Sequence, residues 1–382
     1  MWWRAGLVLL CWVPSAAVAD EGAPVVTLTP RGALVVNLGY NTGTLYPGPY
    51  AFFALPPAVS RNQFFLSPSN TWLGFKLDLP PSGDIEVTGA LDLSLRATNI
   101  QSGNILDAQF YDAYVRVSGK HWRVAVGQYP DVVIAVVPET YNSFPIGYLP
   151  GSLGFARPQL RGEVRLPIGG AYQFLLATSA NTPIQTFDLS DELVGRQAGL
   201  PDGQARLSFG YGLSERPWDR PFEVGASGHL GRRRISTLDA KTERLFTTWS
   251  AGVDLRLAFP WGMMLKGRLW KGQLLGDYAA GGLQTVSPIG LRAIRAKGGW
   301  AAVQQRLTPR WRAAIGYGRD DPNGADLDPG GRTLNEAGFG QVLWDATAHI
   351  GGGIELTRWR TAYLGGGATS LWRVDTVSFL RF

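Results

Sequence analysis

Arginine recurs in this chain at alternate positions within short apolar runs. Arg161 and Arg165 bracket Glu163, Arg116 and Arg123 stand either side of one corner, and Arg96 and Arg206 sit in runs of the same kind. A guanidinium stays charged, and its planar fork holds a carboxylate or phosphate through two bonds. The chemistry open to such a set is recognition of anions rather than the making of bonds. Asp131, Glu139 and Tyr141 fall in one long aromatic connection between Gly127 and Gln159, where they can face the arginines. Cations opposite acidic groups create a transverse field that orients polar solutes.

Other chemistries find little support. Cys11 is the only cysteine, which leaves no disulfide framework and no thiolate metal site. His121, His229 and His349 are far apart, without metal-ligand spacing and without a Gly-Xaa-Ser-Xaa-Gly elbow beside them. No cofactor, metal or catalytic residue is therefore expected, and the chain does not read as an enzyme. Its 36 Lys+Arg against 30 Asp+Glu make it basic, yet it has no recognition-helix pattern, zinc spacing or RNA-binding strand signature. Nucleic acid is not an expected partner.

The elements that position the arginines are strands. In residues 85–96, Ile85, Val87, Leu91, Leu93 and Leu95 alternate with Glu86, Thr88, Asp92, Ser94 and Arg96. Only a strand puts these on opposite faces, and a charge at mid-bilayer costs a few kcal/mol, so the polar face looks into water. Residues 158–166, 204–213, 247–258 and 341–350 repeat the pattern. It places Arg96, Arg116, Arg123, Arg161, Arg165, Arg206, Arg256, Lys266, Arg268, Arg312 and Arg373 inward, together with Glu86, Asp92, Asp112, Glu163, Asp254 and Asp375. The second strand can begin near Phe64 or near Asn70, and the phase of residues 291–307 is ambiguous.

About every fifty residues the chain turns on a short Pro/Gly or polar corner, usually with an aromatic: Trp122, Tyr172, Phe222, Trp261, Trp311 and Trp359 mark the later ones. Two strands per period, with tight corners on one rim and long loops on the other, is the layout of an outer-membrane barrel. The aromatics then sit at the headgroup level. The fold class is all-β: a transmembrane antiparallel β-barrel of about 16 strands, with 14 to 18 as the bounds. Residues 1–19 read as a signal peptide, with Arg4, an apolar stretch from Ala5 to Val13 and the small-residue site Ala17-Val18-Ala19. Residues 20–32 read as a short N-terminal segment and 33–382 as the barrel. The expected location is the bacterial outer membrane, after export through the periplasm.

The connection from Gly127 to Gln159 is the third long loop. Structureless loops beyond roughly 12–15 residues tend to be functional. An apolar, aromatic loop gains by folding into the lumen, where it narrows the pore; packing outside against a neighbouring subunit is the competing placement. Arg232-Arg233-Arg234 is expected in the fifth long loop, outside, near lipopolysaccharide phosphates. The chain ends on Phe382, with Leu380, Val374 and Trp372 in outward phase.

The stretch Ser60-Arg61-Asn62 and Trp72-Leu73-Gly74-Phe75-Lys76 resembles general Gram-negative porins. The runs Val126-Gly127-Gln128 and Arg157-Pro158-Gln159-Leu160-Arg161, with the long third loop between them, resemble the DcaP-like porins. That resemblance implies trimeric sixteen-stranded channels for dicarboxylates and other anionic solutes. Members of that family often carry an N-terminal coiled coil, for which the dozen or so residues after Asp20 leave no room. The expected function is passive diffusion of small hydrophilic solutes, with anion preference, by a homotrimer in contact with outer-membrane lipids and lipopolysaccharide. A channel specific for phosphate or one organic acid is the alternative; a barrel enzyme or adhesin fits less well. Arg96, Arg116, Arg123, Arg161, Arg165, Arg206, Asp131, Glu139 and Tyr141 are the expected lining and constriction residues.

Overall fold

The computed structural model describes residues 25–48, 51–97, 106–140, 149–184, 199–212, 220–236 and 243–382. The signal-peptide stretch, Tyr141, the side chain of Arg96 and most of the corner from Glu215 to Phe222 lie outside them.

Sixteen antiparallel strands close into one barrel. The first four are β1 (Thr27–Asn41), β2 in two pieces (Gln63–Ser67 and Trp72–Asp78), β3 (Glu86–Ala97) and β4 (Leu106–Ser118). Then follow β5 (Trp122–Pro130), β6 (Ala156–Gly169), β7 (Tyr172–Asn181) and β8 (Asp202–Tyr211). The third quarter is β9 (Phe222–Ser236), β10 (Glu243–Ala258), β11 (Met263–Gln273) and β12 (Arg295–Arg306). The last is β13 (Trp311–Pro322), β14 (Arg332–Asp345), β15 (Ile350–Tyr363) and β16 (Gly367–Arg381). Each strand pairs with the next, and β1 closes the ring on β16 from Ala33↔Arg381 to Asn41↔Arg373. Closure leaves no sheet edge and satisfies the backbone internally, as a membrane requires.

Both candidate starts of the second strand are real. Pro68 to Thr71 interrupt it, with Asn70 at φ 77, and pairing to β1 resumes at Trp72. The first strand begins at Thr27 rather than Ala33, because Thr27–Gly32 pair with β2 on one side only, where β16 has already ended. Pro30 is tolerated there since one edge carries no ladder.

The alternation sets which face is wet. Leu91, Leu160, Leu207, Val253 and Val342 are exposed outward, whereas Asp92, Gln159, Arg206, Asp254 and Gln341 are buried inward. Around the short-turn rim run Trp122, Tyr172, Tyr211, Trp261, Trp311 and Trp344, all exposed. Neighbours stack: Tyr172 and Tyr211 lie 5.0 Å apart, and Trp311 and Trp344 6.1 Å. The sixth member of this girdle is Trp344, not Trp359. The corner expected at Thr357-Arg358-Trp359 is mid-strand in β15, and the chain turns instead at 346–349. Trp359 points inward and is fully buried.

Among the described residues, three long connections fold into the barrel, not one. L1 (42–62) carries a small hairpin, Leu45–Tyr46 against Phe53–Ala54. Leu45, Phe52 and Phe53 pack with Val136 and Leu149 of L3 (131–155) on Trp300, Phe339 and Trp359 of the wall. L6 (274–294) supplies Leu275 and Tyr278, which pack with Val133 and Leu153 of L3. The apolar core of this barrel lies inside it, where the loops meet the inner face of β11–β16.

Candidate functional site

L3 leaves β5 at Asp131 and crosses to the far wall. Asp131 ties its root: the carboxylate takes Arg157 Nε at 2.8 Å, Gln204 Nε2 at 2.7 Å and the Phe155 amide at 2.7 Å. The side chain is fully buried, which pushes its carboxyl above the ordinary range against the pull of Arg157. Arg268 of β11 donates to the carbonyls of Val133 and Leu153, and Trp270 Nε1 donates to Gly151 O at 2.6 Å. Gly151 N in turn donates to Asp320 of β13 at 2.9 Å. Towards the tip, Thr140 donates to Glu355 at 2.8 Å, Gln341 Nε2 donates to the Glu139 carbonyl at 2.7 Å, and Glu139 pairs with Arg312 at 3.3 Å. Bonds to β8, β11, β13, β14 and β15 hold the loop across the lumen.

L6 shares the same root. Arg233 binds Asp202 at 2.5 Å and also binds Asp277, while Arg157 NH2 donates to the Asp277 carbonyl at 2.8 Å. Tyr278 donates to Asp202 at 2.9 Å and stacks on His229 at 3.8 Å. Burial raises the carboxyl of Asp277 and the phenol of Tyr278 above their ordinary ranges. Arg233 therefore corrects the expectation of an external Arg232-Arg233-Arg234 run. The run lies on β9, whose pleat turns Arg232 and Arg234 out and buries Arg233 against two carboxylates.

Of the expected lining residues, Arg123, Arg161 and Arg165 come together around Glu163. Arg161 NH2 lies 2.7 Å and Arg123 NH1 3.3 Å from its carboxylate, and Arg165 acts on the same group. Arg161 also donates to Pro130 O at 3.1 Å beneath the start of L3. Arg116 bonds Thr88 at 3.1 Å across β3 and β4. Arg206 and Asp131 are placed differently from the expectation that they line open water. Arg206 is buried between Glu223 and Asp254, each at 2.6 Å, and braces the wall. Asp131 anchors the loop. Glu139 stays partly exposed beside a cavity of about 490 Å³ also lined by Asp92, Arg312, Gln341, Trp72 and Phe379.

As inward charges, Asp202, Asp277 and Glu355 are not marked by the sequence, Arg157 enters only within a motif, and Arg233 is expected outside. Part of the signal was present: residues 274–294 form a long, apolar, Gly-rich connection, and the reasoning that brings L3 inside applies equally there. The partners of an inward charge, by contrast, depend on which strands face one another across the lumen.

No protein-family model and no curated protein matches the chain. Solved structures do. The fold is similar to the outer membrane channel DcaP of Acinetobacter baumannii, with TM-score 0.74 and 16% identity over 94% of this chain and 97% of that one. It is similar to the anion-selective porin from Comamonas acidovorans at TM-score 0.60 and 11% identity, covering 94% and 100% of the two chains. OmpT of Vibrio cholerae in its trimer form gives TM-score 0.60 and 10% identity, with 94% and 100% covered. A closed sixteen-stranded barrel, an apolar outer band, an aromatic girdle and a third loop bent into the lumen are together the fold of a bacterial outer-membrane porin.

Proposed function

We propose that the chain forms a water-filled outer-membrane channel for passive diffusion of small hydrophilic solutes, with preference for anions of the dicarboxylate class. The observation that carries this is the cluster of Arg123, Arg161 and Arg165 around the single carboxylate of Glu163, under the loop that narrows the lumen. Arg116, Glu139 and Arg312 complete the lining beside it. The likeness to an anion-selective porin supports the same sign, and the likeness to a trimer form supports a homotrimer. Outer-membrane lipids and lipopolysaccharide are the surrounding partners.

One observation favours the alternative, a channel specific for phosphate or a single organic acid. L1 and L6 fill the lumen as well as L3, which leaves a narrower path than one inward loop would. Both readings face one experiment, the reversal potential of the purified protein in a planar bilayer under a KCl gradient. Wild type should favour chloride, and Arg161→Glu with Arg165→Glu should move the potential towards potassium. Potassium preference in the wild type refutes the anion reading. A chloride current that a low concentration of one anion blocks selects the specific channel over the general one.

A further inference from the structure

Among the described residues, the outer wall carries its charges on one side only. Arg232, Arg234, Lys271, Lys297, Arg319 and Arg360 point outward from β9–β15 towards the long-loop rim. On β1–β8 no outward charged side chain is found among the described residues; Tyr40, Phe64, Phe110, Val126 and Leu160 stand exposed there instead.

Within the charged sector one place has a shape. Strand register lines up Lys271, Lys297 and Asp321 in a row across β11, β12 and β13. The next rows down are Leu269, Gly299 and Arg319, then Gly267, Ala301 and Tyr317, then Leu265, Val303 and Ile315. Gly267, Gly299 and Ala301 have almost no side chain, whereas Leu269 is 66% and Tyr317 49% exposed on either side. The result is an outward trough of about 700 Å³. Gly299 is required for it, because a Cβ there would lie 2.5 Å from the Arg268 carbonyl and 2.6 Å from Leu269 Cδ2. From Lys297 to Ala301 the trough runs roughly 13 Å down the strand, at about 3.3 Å per residue. Its upper end holds three cations and two acids: Lys297 and Arg319 share Asp321 at 3.4 and 3.6 Å, Lys271 is paired with Lys297 across the ladder, and Glu336, beside Arg319, is taken up by Arg360 at 3.2 Å and by the Tyr317 hydroxyl at 2.6 Å.

We propose that this trough is a binding site for one phosphorylated, acylated lipid of the outer leaflet. An acyl chain lies over Gly267, Gly299 and Ala301, and the phosphate meets Lys271, Lys297 and Arg319. A smooth wall of large side chains offers a chain no seat, and a cation cluster alone holds any anion. The two together select an anionic amphiphile. The site stands apart from the lumen and does not depend on which solute passes through it.

The test is titration of the folded full-length protein in detergent with a bisphosphorylated lipid A, read by native mass spectrometry. The same lipid without phosphates is the control. Wild type should bind one lipid with preference for the phosphorylated form. The Lys271→Gln, Lys297→Gln, Arg319→Gln triple variant should lose about tenfold or more in affinity, a factor well outside measurement scatter. Ala301→Phe, which keeps every charge and fills the trough, should lose affinity likewise, and Ala301→Leu serves if the larger residue impairs folding. Thr178→Phe on the uncharged side should bind as wild type. Equal binding of the phosphate-free lipid, or unchanged affinity in both the charge and the trough variants, overturns the proposal. So does loss of oligomer mass with lipid binding intact, which would make the trough a contact between copies.

Discussion

The guanidinium of Arg157 lies 4.0 Å from the ring centre of Tyr278. The same side chain binds Asp131, the first residue of L3, and the Asp277 carbonyl in L6. One strand residue therefore joins the roots of two inward loops. Its ion partners are themselves wholly buried. A buried charge of this kind is costly to desolvate, so the cluster contributes more to fixing the loops in one position than to net stability.

Removing one member should be far worse than the intact cluster is good. Arg157→Gln leaves Asp131 without its ion partner in a dry site. Breaking a buried pair this way typically costs about 3–5 kcal/mol. The barrel strands should survive, since their ladders are untouched, but the loops should loosen. The expected result is a lower midpoint in heat-modifiable gel migration together with noisier single-channel current. A variant that matches wild type in both would show that the cluster does not secure the loops.

Deleting Val132 to Val137 should raise single-channel conductance. These residues include Val133, whose amide donates to Gln204 Oε1 and whose carbonyl accepts from Arg268. They also include Val136, which packs against the inner wall. Unchanged conductance in a folded deletion variant would mean that the narrowest point lies on L1 or L6 instead.

Two tryptophans should respond in opposite ways to truncation. Trp359 is fully buried among Phe53, Phe339 and Leu371 inside the barrel, and Trp359→Ala should cost about 3–5 kcal/mol, as core aromatic truncations do. Trp344 stands 41% exposed in the girdle, so Trp344→Ala should shift the unfolding midpoint much less. Urea titration of the refolded protein reads both. Equal losses would contradict the inward placement of Trp359.

The error over Trp359 shows where sequence reading stops. Period-two alternation states which residues share a face, and for β3, β6, β8 and β10 it assigned lipid and water sides as the structure has them. Spacing of aromatics is weaker, because a tryptophan serves a girdle and an inner core equally well. Trp359 follows the fifty-residue rhythm, whereas Trp344, the actual girdle member, falls in the outward phase of residues 341–350 like any lipid-facing residue. Arg232-Arg233-Arg234 failed for a related reason: a charge run looks like a loop unless the strand is known to continue, after which the middle residue must point inward. The pairing of Arg161 with Glu163 was within reach, both lying on one face of one strand. The meeting of Arg157, Asp202, Arg233 and Asp277 was not, since it needs the curvature of the closed wall and the descent of L6.

The remaining prediction concerns Glu163, the carboxylate that Arg161 and Arg123 hold at 2.7 and 3.3 Å. Glu163→Gln keeps the shape and removes one negative charge from the centre of the arginine cluster. Two unit charges about 4 Å apart interact by roughly 4 kcal/mol at an effective dielectric of 20, so a single charge at this point outweighs several in a wide vestibule. The reversal potential in a KCl gradient should move further towards chloride than in wild type. The shift should shrink as salt rises, because the Debye length falls from about 10 Å at 0.1 M to about 3 Å at 1 M. Heat-modifiable migration checks that the barrel still closes, since the substitution removes one partner of a buried pair. A folded variant whose potential stays put or moves towards potassium would place the selective point away from β5 and β6, at Glu139 and Arg312 on the other side of L3.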